Sequence, residues 1–104
     1  MKYLVHIRAT AEAGNRIEAA GGPGPLFGWL VERLRPEAAY GTPSSRQVFL
    51  VVNYDDPSSI VETMLAVSQK CGAEPTFTPI IALNEFGSVV QKAMEGLKTL
   101  PKNP

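Results

Sequence analysis

The sequence predicts a small α+β domain: a four-stranded antiparallel sheet, two crossover helices on one of its faces, and one more helix at the C-terminal end. Three observations carry this. The chain has 104 residues, 44% hydrophobic and 19% charged, which is room for one domain and too apolar for a disordered chain. Short β-rich runs and helical periodicities follow one another in the order β-α-β-β-α-β-α. One link between strands is only the turn cluster Gly41-Thr42-Pro43-Ser44-Ser45, which makes that pair an antiparallel hairpin.

Tyr3 to Arg8 is the first strand, with Tyr3, Val5 and Ile7 on one face and Leu4, His6 and Arg8 on the other. Ala9 to Gly24 has no clean period and reads as a long connection, with room for a short helical turn around Arg16 to Ala20. The first helix runs from Pro25 to Leu34. Proline suits its first position, where the missing N–H costs nothing. Phe27, Leu30, Val31 and Leu34 form its apolar stripe, and Trp29 falls on the far side. Pro36 ends it, because a residue before proline avoids the α region.

Glu37 to Tyr40 is the second strand and Gln47 to Tyr54 the third. The second helix starts at Asp56, an N-cap followed by Pro57, and stops at Gly72. Its expected inner stripe is Ile60, Val61, Met64, Val67, Ser68 and Cys71. Glu74 to Ile81 is a fourth strand, and its prolines at 75 and 79 confine it to an edge. Asn84 is the expected cap of a third helix whose stripe is Phe86, Val89, Val90, Ala93, Met94 and Leu97. Residues 1–97 thus form a single domain and 98–104 a flexible tail. With right-handed crossovers the arrangement is ferredoxin-like, βαββαβ, with sheet order four-one-three-two.

Two helices cover only one face of such a sheet. The third strand is apolar on both: Val48, Leu50 and Val52 on one side, Phe49 and Val51 on the other. A sheet with a free solvated face should alternate instead. The simplest cover for that face is a second copy, sheet against sheet about a twofold axis, so a homodimer is expected. Val51 and Trp29 are its candidate interface residues. The third helix packs on its own sheet or on the partner.

Ten basic and ten acidic side chains cancel, unlike the basic surface of a phosphate-neutralising nucleic-acid binder. Phe49 alone gives the central strands too few aromatics for RNA stacking. No apolar run is long enough to cross a bilayer, and the opening apolar stretch is short for a signal sequence. One cysteine allows no internal disulfide and no multi-cysteine zinc site. The expectation is a cytoplasmic protein with no cofactor, no metal, no nucleic acid and no membrane among its partners.

The segments Lys2–Arg8, Ala13-Gly14-Asn15, Pro36–Tyr40, Val51–Pro57 and Glu74–Pro79 share their order and spacing with a known group. Over roughly residues 1–90 the chain resembles the small uncharacterised bacterial proteins of the dimeric α+β barrel superfamily. The resemblance implies the ferredoxin-like fold and the dimer. Better-known members of that superfamily include cofactor-free monooxygenases and muconolactone-isomerase-like enzymes. No catalytic motif of theirs maps onto this chain, so the resemblance brings no catalytic residue and no activity.

Five residues are candidate ligand-binding groups: His6, Arg8, Tyr40, Phe49 and Asn53. His6, the one histidine, is an acid/base candidate if it lines a cavity between sheets, and otherwise a hydrogen-bonded interface residue. Tyr40 and Asn53 can place polar groups at the mouth of an apolar space, the usual composition of a small-molecule site. Arg16 is an anion-binding candidate, or else a solvated partner of Glu12 or Glu18. Trp29 is an interface anchor, or else lies under the long connection. Gly22-Pro23-Gly24-Pro25 is no dinucleotide loop, since its prolines remove N–H donors and no strand directly precedes it. Cys71 belongs to the core.

The reading is a homodimeric small-molecule-binding or interaction domain. The alternative is a small cofactor-independent enzyme acting on an apolar organic substrate. A cavity in each protomer, lined by Phe49, Val51 and Leu4 with His6, Arg8, Tyr40 or Asn53 inside, marks the enzyme; an inter-sheet space filled by side chains marks the binding or structural protein.

Overall fold

Strand β1 (Lys2–Arg8) is the hub of the sheet in this computed structural model, which describes residues 1–103. It pairs antiparallel along its whole length with β3 (Gln47–Asn53), and on its other side with β4 (Thr76–Pro79). β3 pairs antiparallel with β2 (Ala38–Gly41). The order is β2-β3-β1-β4, the expected one read from the opposite edge. Pro79 sits in an edge strand, where a missing donor leaves no ladder bond unmade. The α+β class and the open four-stranded antiparallel sheet are as expected, and compatible with a ferredoxin-like fold.

The register sorts the side chains. Val5 opposes Leu50, and Tyr3 opposes Val52, on the face that the helices cover. Val5, Ile7, Leu50 and Val52 are buried there with Leu30, Val67, Cys71 and Tyr54. The other face carries Leu4 opposite Val51 and His6 opposite Phe49, all half-buried.

The 9–24 segment holds a helix that periodicity does not reveal, α1 (Ala11–Ala19). Thr10 caps it, its hydroxyl accepting from the Ala13 N–H at 3.1 Å. The buried side of α1 is Ala13 and Gly14, too small to register as an apolar stripe. The turn after it depends on Gly21 and Gly22, both at positive φ.

Helix α2 (Gly24–Leu34) is turned from the expected stripe. Leu26, Leu30 and Leu34 pack on the core, while Phe27 and Val31 are exposed. Trp29 is exposed too, so the connection does not cover it. Helix α3 (Pro57–Cys71) starts at the expected cap, with Asp56 accepting from the Ser58 N–H, and ends on Gly72 at φ 71°. Its inner face differs at one place: Thr63 is buried and Val61 exposed. Thr63 donates to the Ser59 carbonyl at 2.9 Å, which leaves its Oγ1 to accept from the Tyr54 hydroxyl at 3.0 Å. A hydroxyl with a partner buries more cheaply than sequence pattern suggests. Outside, Arg33 of α2 pairs with Glu62 of α3 (Nη2–Oε2 2.9 Å), and the hydrogen bond holds the Glu62 carboxyl below its ordinary range.

Helix α4 (Leu83–Leu97) follows β4 after three residues. Asn84 lies inside its first turn rather than capping it; the N-cap is Ala82, with no side-chain bond. Every residue of α4 is exposed. The helix extends from the body and makes the molecule 59 Å long against 31 and 29 Å across. The expected tail ends at Pro104, outside the described residues.

Burial raises the pKa of the Tyr54 hydroxyl and of the Cys71 thiol. For both, the folded value exceeds the unfolded one. Their contribution to stability is therefore complete below the unfolded pKa and lost as pH rises through the folded one. The melting temperature is expected to hold through neutrality and fall above about pH 8.5, where a free thiol ionises, and more steeply above about pH 10. Melting curves of Cys71→Ala and Tyr54→Phe against pH check this, since each removes one part of the fall.

Candidate functional site

On the helix side of the sheet lies a cleft of about 490 Å³, within the usual range for small-molecule sites. Ile7 and Val48 form its floor, from the two central strands. Leu26 and Leu30 of α2 and Ile17 of α1 form its walls. It exists because α1 packs against α3 through small residues and leaves space beside α2. Its apolar wall needs no water, so an organic molecule entering it gains burial on several sides.

The rim is polar. Thr42, Ser45 and Gln47 come from the β2–β3 turn and the start of β3. Their side chains are linked: the Thr42 and Ser45 hydroxyls lie 2.9 Å apart, and Gln47 Nε2 donates to Ser45 Oγ at 2.9 Å. Arg46 crosses from the turn to α1, donating to the Ala11 carbonyl at 3.1 Å and to Asn15 Oδ1 at 3.0 Å. It lies directly over Gly14, where a Cβ would come within 2.5 Å of its Cδ. Glycine at 14 thus lets the guanidinium lie flat on α1 and seal one side of the cleft. Glu18 supplies the carboxylate of the same wall.

Cys71 also lines the cleft, at its core end. Burial pushes its thiol pKa up, so it stays protonated and is a poor nucleophile. Among the described residues no three of His, Cys, Asp and Glu converge as a metal site would require.

The residues picked from sequence sit elsewhere. His6, Arg8, Phe49 and Asn53 belong by register to the outer face of the sheet, and none of them lines the cleft. His6 stacks flat on Phe49, with ring centres 4.5 Å apart, and its Nε2–H donates to Gln47 Oε1 at 2.6 Å. Gln47 therefore joins the outer face to the rim of the cleft. Tyr40 opposes Phe49 at the sheet edge and also borders a smaller hollow of about 170 Å³ with Phe27 and Val31. Arg16 is exposed and 3.7 Å from Glu12, the solvated pairing. Val51 is half-buried on the outer face.

Sequence reading missed the site for a local reason. Its wall needs α1, and α1 shows no apolar stripe. The available signals were Thr10 as a cap and the Gly21-Gly22 stop.

A family model described as a domain of unknown function, DUF3303, matches residues 1–94. Comparison with curated proteins and with solved structures finds no match. No helix among the described residues is long and apolar enough to cross a membrane.

Proposed function

This chain belongs to the family described as a domain of unknown function, DUF3303, and on that footing we propose that it binds a small apolar or aromatic organic molecule. The observation that carries the reading is the cleft of about 490 Å³ between sheet and helices, apolar within and polar only at its rim. A ligand with an apolar body and one hydrogen-bonding end satisfies both. Its body lies on Ile7, Val48 and Leu26, and its polar end meets the Thr42–Gln47 side. The thiol at the core end is held protonated, and His6 stands on the other face, so the arrangement favours binding over covalent chemistry.

The second part of the reading is assembly. The strand order supports a ferredoxin-like fold of the dimeric α+β barrel kind, with two copies meeting through the sheet faces that bear Leu4, Phe49 and Val51. No helix of the described chain lies over that face. His6, stacked on Phe49, then serves as an interface residue.

The test is methyl-resolved NMR titration with 2-naphthol, and with naphthalene-2-carboxylate as the charged arm. 2-Naphthol is expected to shift the methyl signals of Ile7, Ile17 and Leu26. Ile17→Trp, which fills the cleft, is expected to weaken this by about tenfold or more, the loss of one good contact set. Shifts confined to α4, or equal affinity in the filled variant, would sink the cleft as the site.

A further inference from the structure

We propose that α4 is an exchanged arm, whose apolar stripe docks on the body of a second copy of this chain. This rests on the homodimer reading above and goes beyond it. It places the contact outside the sheet faces alone and makes each body incomplete without the other's helix.

The first observation is the state of α4. Leu83, Phe86, Val89, Val90, Met94 and Leu97 form its stripe, and all are exposed: Phe86 by 54%, Met94 by 57% and Leu97 by 57%. This is the most regular apolar stripe in the chain, at i, i+3, i+4, i+7, i+8 and i+11 from Phe86. A helix of 15 residues is marginal in water without tertiary packing, and its own body supplies none. Its apolar stripe therefore has a partner to find.

Charge decides the kind of partner. A helix that lies on an anionic membrane carries Lys and Arg on its polar face. Here α4 and its C-cap carry Glu85 and Glu95 against Lys92 and Lys98, the last paired with Glu95, so the helix has no basic excess. A second copy meets no such obstacle, because the whole chain has zero formal net charge and copies do not repel.

Area points the same way. Six apolar side chains, five of them about half exposed and Leu83 nearly wholly so, hide on the order of 400 Å² when an arm docks. Each copy gives one arm and receives one, so each buries about 800 Å², the share of one partner in a standard stable interface. The arm begins at the rim of the face already proposed as the interface: Ile80, whose N–H donates to the Lys2 carbonyl, leads from the β4 edge directly into it. Twofold symmetry makes the exchange reciprocal and closed, so it yields dimers rather than filaments.

The experiment uses the full chain with p-benzoyl-phenylalanine in place of Phe86, together with sedimentation velocity of the unmodified chain and of Val90→Glu and Val51→Lys. The unmodified chain is expected to sediment as a dimer. Irradiation is expected to give a covalent product of twice the 11.2 kDa chain mass. Val90→Glu is expected to raise the dimer dissociation constant by at least about tenfold, since a carboxylate in the apolar contact would be buried unpaired. Its circular dichroism should keep the sheet signal, because Val90 touches no core. A dimer broken by Val51→Lys but indifferent to Val90→Glu, with cross-links only within one chain, overturns the arm and leaves the sheet-face dimer standing. A chain monomeric at every concentration overturns both.

Discussion

Leu50→Ala is expected to lower the free energy of unfolding by about 3 kcal/mol, the middle of the range for a leucine truncated in a packed core. Leu50 is 2% exposed and sits at the centre of the sheet, opposite Val5 on one side and Ala39 on the other. Its strand β3 is hydrogen-bonded on both sides, to β1 and to β2, which resists collapse of the cavity. A domain of this size has about 5–15 kcal/mol in total, so the loss is a large part of it. The melting temperature should fall by roughly 10–20 °C. Urea unfolding checks this: the midpoint should move with little change of slope. A loss under about 1 kcal/mol would mean that the core is not packed as described.

Gly72→Val is the second large effect, at about 2–3 kcal/mol from two sources: left-handed backbone costs a side chain about 1–2, and a lost helix cap about 1. Gly72 has φ 71° at the end of α3. A Cβ there would come within 2.8 Å of Thr10 Oγ1 and 3.3 Å of Ala13 Cβ. Thr10 is the cap of α1, and its N–H donates to the Cys71 carbonyl at 2.9 Å. One substitution thus strains the end of α3, pushes away the cap of α1 and loosens the wall of the cleft. Hydrogen exchange should show α1 losing protection before the sheet does. With α1 loosened, 2-naphthol binding should weaken in step. Equal loss of protection across α1 and β1 would contradict the local account.

Much of the fold is legible residue by residue. Asp56-Pro57 starts α3 and Gly72 ends it, because caps act within one turn and need no knowledge of the rest of the chain. Pro79 fits the fourth strand to an edge, since a ladder bond cannot be made without a donor, while Pro75 lies just before the strand. The candidate site was not legible. His6, Phe49 and Asn53 attract notice as chemistry-bearing residues, yet strand alternation sends them to the outer face. Small residues, Gly14 and Ala13, make room for the cleft, and small residues give no hydrophobic signal.

By itself the sequence determined the class of fold, the strand order and the apolar burden on both sides of β3, because periodicity, caps and prolines are short-range physics. Only the tertiary structure decided the rest. The turn of α2 toward Leu26, the burial of Thr63, the helix α1 and the position of the cleft all depend on which surfaces meet. So does the isolation of α4: its stripe is plain in the sequence, but what a stripe rests against is a property of the assembled molecule. Burial is a relation between distant residues, and no single segment carries it.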